Sequence, residues 1–358
     1  MKLEFLKLLN FRNYKNLDFT PSENINILYG LNASGKTNLI EAIYMSIKAT
    51  SFKNARDNEL ININENSSSI ISRYTNKDYK DDFRVEIFKN ENKKFYINEE
   101  KVSAKEYRKS RFCVIFSPND LNMIKYSPGN RRRFLDDMLS NVEPSYDFYY
   151  QRYRKILFER NKLLKIKMDE NLLNIYDQEI ANVGTKIIIM RLRAIKKLNE
   201  FAKYHYKNIS GDDLNITYLS TVPIVLDEDE LRAHYLKLLK RTFVVDLEKK
   251  YTTIGPHRDD LDFKINKLSS KVYGSQGEQR SIVLSLKLSE TDLIKSLYNE
   301  YPILLLDDVF SEMDFNRRRY FLYSLKNTQT FITTTEINKY LQSIDAEFFQ
   351  INNGRILV

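Results

Sequence analysis

An α/β fold, built from a mixed sheet with flanking helices and an antiparallel β part and split by an inserted helical segment, is predicted by three observations. Apolar runs of strand length lie near both ends of the 358-residue chain: Ile25–Tyr29 leads into Gly30, and Ile303–Leu306 leads into Asp307-Asp308. Phe83, Val85 and Ile87 alternate strictly, Asn90-Glu91-Asn92 supplies a turn, and Phe95 and Ile97 alternate again, the pattern of an antiparallel meander over 70–102. From about Arg131 to Lys207, Gly and Pro are scarce and apolar residues recur at helical spacing.

The N-terminal half, 1–120, opens with short strands marked by Leu3, Phe5 and Leu8, then Leu17 and Phe19, then Ile25, Ile27 and Tyr29, with Pro21-Ser22 as a turn. A helix follows over Thr37–Ile47, where Leu39, Ile40, Ile43 and Ile47 share one face. Ser51–Asp57 is a polar connection, 61–69 an Asn/Ser-rich loop, and Arg111–Phe116 another strand, with the single cysteine, Cys113, as a small core residue. The helical segment, 121–250, carries apolar stripes at Leu163, Leu164 and Ile166, at Leu172, Leu173, Ile175 and Tyr176, and along Ile187–Met190, Leu192, Ile195 and Leu198. Asp227–Glu230 caps a further helix over Leu231–Leu239. In the last part, 251–358, Leu261, Phe263 and Ile265 alternate, a helix follows Gly274–Gln279, Ile303–Leu306 and Phe331–Thr335 read as buried strands, and Asn353-Gly354 turns a hairpin.

Gly30-Leu31-Asn32-Ala33-Ser34-Gly35-Lys36-Thr37 reads G-x-x-x-x-G-K-T between a strand and a helix, the context of a phosphate-binding loop. Its glycines let backbone N–H groups turn inward around phosphates, and the helix N-terminus adds the positive end of a dipole. Lys36 reaches the terminal phosphates and the Thr37 hydroxyl ligates Mg²⁺ on this reading. Asp307 then supplies a metal carboxylate at the end of a buried strand, and Asp308 orients the attacking water. A second helix opens at Tyr273-Gly274-Ser275-Gln276-Gly277-Glu278-Gln279-Arg280, where Ser275 and Glu278 have capping-box spacing. One nucleotide does not need two such helix ends from one subunit. Two subunits arranged head to tail use both, each capping the γ-phosphate held by the other.

These motifs together resemble the ABC-type heads of the SMC-like ATPases and, among them, the bacterial RecF family of recombination mediators. The resemblance runs through Gly30–Ile43, Phe116–Leu121, Arg131–Asp136, Arg160–Leu164, Gly255–Leu261, Ser275–Arg280 and Leu305–Asp314, covering essentially the whole chain. It implies an ATP- and Mg²⁺-dependent homodimer on double-stranded and gapped DNA, acting with RecO and RecR to help load RecA. It implies nucleotide contacts from Gly30, Leu31, Asn32, Ala33, Ser34, Gly35, Lys36, Thr37 and Asn38, and across the dimer from Ser275, Gly277, Glu278, Gln279 and Asp314. Asp308 stands where most ABC ATPases have Glu, and the usual histidine after Phe331–Thr335 is replaced by Thr333–Thr335 and Glu336. Both departures imply slow hydrolysis, suited to a switch.

The net charge of +9 raises the expectation of a polyanionic partner. An AT-rich genome, which favours Lys, Asn, Ile and Tyr and leaves Trp absent, offers a competing explanation. Residues 131–208 hold 17 Lys and Arg against 10 Asp and Glu, so most of the excess lies in one segment. Arg131, Arg132 and Arg133 could contact DNA phosphates, since three adjacent arginines cannot all face a core, or could pair with Asp136, Asp137 and Glu143. Arg56 could reach nucleotide or DNA. His257-Arg258-Asp259-Asp260 lacks convergent metal-ligand spacing and reads as a buried ion-pair or dimer-interface cluster. No apolar run is long enough to span a membrane, the charged N-terminus does not read as an export signal, and one cysteine fits a reducing cytoplasm. A P-loop kinase would not need Ser275–Gln279, a nuclease needs a further acidic cluster, and a structural SMC-type head needs far more heptad sequence than this insertion supplies.

Overall fold

The computed structural model describes the chain apart from residues 77–79, 110, 122, 126, 167–169, 309–312, 326, 338 and 358. It divides into two units, 1–120 with 294–358, and 121–293.

The first unit opens with β1 (Lys2–Phe11), β2 (Tyr14–Phe19) and β3 (Ile25–Tyr29), followed by α1 (Lys36–Lys48) and α2 (Asp57–Leu60). The meander is β4 (Ser67–Thr75), β5 (Lys80–Phe88), β6 (Lys94–Ile97) and β7 (Glu100–Val102), followed by α3 (Ala104–Tyr107), β8 (Cys113–Phe116) and α4 (Pro118–Leu121). The expected loop 61–69 is shorter than that. Ile61 bridges to Phe11 and Ser67–Ser69 already pair in β4, where Ser68 is buried and donates to Leu9 O. The Ser68 hydroxyl, satisfied by a neighbouring strand's backbone, makes this polar stretch compatible with a sheet.

The second unit contains α5 (Pro128–Val142), α6 (Tyr146–Leu163), the 41-residue α7 (Glu170–Ser210), β9 (Leu214–Leu219), α8 (Glu228–Lys249), β10 (Asp260–Ile265), β11 (Leu268–Ser269), α9 (Ser270–Tyr273) and most of α10 (Gln276–Tyr298). Residues 251–293 thus group with the helical segment rather than with the C-terminal strands, because β10 pairs along its whole length with β9. Asp227 caps α8 by accepting from Glu230 N–H at 2.9 Å.

The chain returns to the first unit with β12 (Ile303–Leu306), α11 (Phe315–Ser324), β13 (Thr330–Thr334), α12 (Lys339–Gln342), β14 (Ala346–Asn352) and β15 (Arg355–Leu357). One sheet there is antiparallel, in the order β2-β1-β4-β5-β6-β7. The other is mixed, β15-β14-β3-β13-β12-β8, with every neighbour from β14 to β8 parallel and β15 antiparallel. A single apolar core containing Leu39, Ile40, Ile43, Met45 and Ile47 of α1 joins side chains of both sheets, among them Leu6, Leu8, Val85, Leu28 and Leu305. This fixes α1, and so the loop before it, at the carboxyl ends of β3, β13 and β12.

The second unit has a polar interior built on three buried arginines. Arg160 donates to Asp177 at 2.6 Å and to Asp246 and Thr252 Oγ1 at 2.8 Å. Arg191 donates to Asp136 and Pro256 O, both at 2.6 Å. Arg131 makes a two-pronged pair with Asp260 at 2.6 and 2.9 Å. Each clamps the 252–260 stretch onto a helix, so three of the motif segments meet in one network. Burial pushes the Asp177 carboxyl up, with Arg160 opposing the shift. Arg160→Ala would leave Asp177 and Asp246 in the interior without their counter-charge. Urea denaturation should then show a loss of about 3–5 kcal/mol, whereas a loss near that of a surface pair, under about 1 kcal/mol, would contradict this role.

Candidate nucleotide site

The loop Gly30–Gly35 is shaped by backbone that side chains would obstruct. Gly30 and Gly35 have φ of 151° and 118°, and a Cβ on them would lie 2.2 Å from Ile351 O and 2.6 Å from Asn13 Nδ2. The loop is also held from outside. Asn13 Nδ2 and Gly354 N–H donate to Ser34 O at 3.1 and 3.0 Å, and the Tyr14 hydroxyl donates to Gly35 O at 3.0 Å. Asn38 Nδ2 donates to Asn13 Oδ1 at 2.9 Å, closing the brace around the start of α1. Asn13 and Tyr14 carry no recognisable sequence signal, and Gly354 signals only its hairpin, since their role here depends on β1, β2 and that hairpin meeting the loop.

Inside the loop, Lys36 Nζ donates to Gly30 O at 2.7 Å and Leu31 O at 2.8 Å, lying across the cradle. Burial lowers its pKa, while Asp308 and then Asp307 oppose the shift. Thr37 Oγ1 donates to Asp307 Oδ1 at 2.7 Å, and Thr333 Oγ1 donates to the same oxygen at 3.1 Å. Thr333 Oγ1 also accepts from Asp308 N–H at 2.8 Å. β13 lies between β3 and β12, so Thr333 stands on the strand that joins the loop side of the site to the two acids. Burial raises the Asp307 pKa and the Thr37 and Thr333 hydroxyls oppose that. Asp308 turns away from its strand with φ of 52°, a left-handed conformation that Asp tolerates better than most residues.

A cavity of about 130 Å³ is lined by Asn32, Ala33, Gly35, Lys36, Thr37, Asn38, Asp308 and Thr333. The residues fit a phosphate chain. The Ser34 hydroxyl is buried with no hydrogen-bond partner, an orphaned donor in the loop wall. They also fit Mg²⁺, which characteristically takes a hydroxyl and one carboxylate and completes its octahedron with phosphate and water oxygens. Thr37 and Asp307 would supply that pair. Among the described residues no group of three or more His, Cys, Asp or Glu converges on a metal position.

The second motif is a self-contained turn. Ser275 N–H donates to Glu278 Oε2 at 2.7 Å and Glu278 N–H donates to Ser275 Oγ at 3.2 Å, the reciprocal bonds expected of its spacing. Gln279, expected at the nucleotide, is instead buried beneath the turn, its amide donating to Ser270 O and Gly274 O, both at 3.1 Å. Asp314 caps α11 by accepting from Arg317 N–H at 2.9 Å, and Val309–Glu312 before it lie outside the described residues.

The basic cluster differs most from expectation. Arg131 is 2% exposed and paired with Asp260, so it cannot meet DNA, and its partner is none of the three acids considered. Helical phase gave the signal: Arg131 lies three, four and seven residues before Phe134, Leu135 and Met138, on their buried stripe. Arg132 donates to Asp259 O at 2.9 Å, while exposed Arg133 lies 3.6 Å from Asp137. Arg56 is exposed and caps α2, its N–H donating to Glu59. His257 Nδ1 accepts from Tyr153 OH at 2.8 Å and Nε2 donates to Thr252 O at 3.0 Å, with burial pushing its pKa down to about 4. A neutral imidazole with both nitrogens engaged belongs to the interior network.

The family model describing the RecF/RecN/SMC N-terminal domain matches residues 2–353. The chain is 42% identical over 363 residues to a "DNA replication and repair protein RecF" of Clostridium perfringens (strain SM101 / Type A), covering 99% of both. It is 40% identical over 367 residues to the protein of that name from Clostridium tetani (strain Massachusetts / E88), covering all of both. A solved structure of the recombination mediator protein RecF-ATPrS in the RecFOR pathway superposes with a TM-score of 0.92 at 35% identity, over 99% of this chain and 97% of that one. The chain therefore belongs to the RecF family, within the RecF/RecN/SMC group of ABC-type ATPase heads.

Proposed function

We propose that the chain is an ATP-dependent, DNA-binding recombination mediator of the cytoplasm. On this reading two copies close head to tail on ATP at double-stranded DNA near gaps, hydrolyse it slowly as a switch, and assist RecA loading together with RecO and RecR. The observation that carries the reading is the Thr37–Asp307–Thr333 arrangement beside a glycine-shaped loop with an orphaned hydroxyl. Lys36 exchanges the Gly30 and Leu31 carbonyls for the β- and γ-phosphates, and the first N–H groups of α1 point at the same chain of oxygens. Thr37 and Asp307 would hold a Mg²⁺ ion, which would supply positive charge to the phosphate chain. Asp308, lining the cavity, receives the proton of the attacking water, and its short side chain keeps that step slow.

Dimer closure has its own support. Large apolar side chains stand in solvent beside all three motifs: Leu31 at 82% exposure, Val272 and Tyr273 at 70% and 71%, and Phe315 at 58%. A surface that closes on ATP would cover them. Dimer stability should then follow ATP concentration by mass action. Sedimentation with a non-hydrolysable ATP analogue should give a dimer for the wild type and a monomer for Ser275→Arg, whose bulk falls at the closest approach. A dimer of Ser275→Arg, or a wild type monomeric with analogue and duplex present, would overturn the composite site.

For DNA, α7 offers a better face than the Arg131–Arg133 cluster. Arg193, Lys196, Lys197, Lys203 and Lys207 are exposed and share one helical stripe with exposed Tyr204 and a single exposed acid, Glu200. Among the described residues only Lys207 of these five has a carboxylate partner, exposed Asp213 at 3.2 Å. The stripe is roughly 21 Å long, the rise of about six base pairs. Changing Arg193, Lys196, Lys197 and Lys203 to Ala should lower the log–log salt slope of duplex binding by about 0.9 for each phosphate that is no longer neutralised. An unchanged slope would place DNA on another surface.

A further inference from the structure

Four arginines are buried among the described residues, and three of them carry a carboxylate. Arg131 pairs with Asp260, Arg160 with Asp177 and Asp246, and Arg191 with Asp136. Arg111 is the exception: it is 1% exposed, and among the described residues both of its hydrogen bonds go to backbone carbonyls. Nη1 donates to Ser46 O at 2.5 Å, Nη2 donates to Tyr107 O, and Nε has no partner. The rings of Phe83, Tyr107 and Tyr74 enclose the guanidinium, with centroids at 3.6, 4.4 and 5.6 Å. Ser46 stands in the last turn of α1, the helix that begins at the phosphate-binding loop. The buried acid of that helix, Glu41, is already held by Arg12 at 2.9 and 3.0 Å.

Holding Ser46 O requires only a donor, and the Tyr107 hydroxyl supplies one at 3.0 Å. A buried charge without a counter-ion costs more than a neutral side chain of similar shape. What the neutral group lacks is a field. The half negative charge at the end of α1 offsets only part of a guanidinium's full charge. Ser46 lies ten residues beyond Lys36, a rise of roughly 15 Å. The side chains between them, Leu39, Ile40, Ile43 and Met45, belong to the apolar core, as do the three enclosing rings. At such a distance one unit charge still shifts the binding of another by about two- to six-fold, for effective dielectrics of roughly 80 down to 20. Resting on the nucleotide-site reading above, we propose that Arg111 is a specificity-determining residue for that site. Its unpaired charge acts along α1, without touching the nucleotide, and favours ATP over ADP because ATP carries one more negative charge. Hydrolysis then weakens the hold of the loop on its own product.

Titrating fluorescent ATP and ADP analogues against the wild type and Arg111→Gln tests this, since a field acts in proportion to ligand charge. Gln keeps a donor for Ser46 O and removes the charge. The variant should lose about two- to six-fold more affinity for ATP than for ADP. Arg111→Lys, which keeps a cation, should hold the ATP-to-ADP preference near that of the wild type, even where it melts earlier. Phe83→Glu would set a carboxylate against the guanidinium and neutralise it in place. It should lower the preference as Arg111→Gln does, and it gives the same comparison if the Gln variant does not fold. Equal losses for the two nucleotides, or no loss, in a folded neutralised variant would leave Arg111 a structural clamp and overturn the specificity role alone. A wild type that binds neither nucleotide would overturn the nucleotide site itself, and this role with it.

Discussion

One carboxylate oxygen, Asp307 Oδ1, receives two hydroxyls, and the order of the nucleotide site depends on it. Thr37 reaches it from the first turn of α1 and Thr333 from β13. Loop, helix and two strands that are far apart in sequence are thereby fixed to one point. Asp307 is buried, so its carboxylate is costly to ionise unless hydroxyls or a cation meet it. The same constraint that stabilises the fold leaves a carboxylate and two hydroxyls gathered beside the glycine-shaped loop. Thr333 also holds the Asp308 backbone, so the two acids are set with respect to each other before any ligand arrives.

The second unit solves a different problem with a related device. Its 252–259 stretch is irregular between α8 and β10 and brings backbone carbonyls into the interior. Arg191 donates to the Pro256 carbonyl, Arg132 to that of Asp259 and His257 to that of Thr252. Arg160 and Arg131 bind Thr252 Oγ1 and the Asp260 carboxylate, and Asp259 accepts from Thr221 N–H and Oγ1 at 2.7 and 2.8 Å. Buried arginines of this kind favour specificity of arrangement, because a misplaced helix would leave both charges unpaired. The basic excess of the helical segment therefore divides in two: part is interior, and part is the α7 stripe.

Much of this was legible in the sequence. A strand, a G-x-x-x-x-G-K-T turn and a helix are local features, so Gly30–Thr37 could be placed without tertiary knowledge, as could Asp307 at the end of an apolar strand. Thr333 could not, since its importance comes from β13 lying between β3 and β12. β9 was written in the alternation of Leu214, Ile216 and Tyr218, yet it sat inside a helical context that hid it. The Arg131 and α7 assignments turned on phase rather than composition. Counting charges over 131–208 located a basic segment, and only the three-to-four-residue spacing separates arginines that face the core from lysines that face solvent.

The central claim is that each nucleotide site is completed by two copies of the chain. Mixing two inactive variants tests it most directly. Lys36→Ala lacks the phosphate lysine and Ser275→Arg lacks a usable signature turn, so neither should hydrolyse ATP alone. In a mixed dimer one site pairs the intact loop of the Ser275→Arg copy with the intact turn of the Lys36→Ala copy. An equimolar mixture should therefore regain hydrolysis, approaching about a quarter of the wild-type rate if dimers form at random and sites act independently. A mixture as inactive as its components would contradict the composite site.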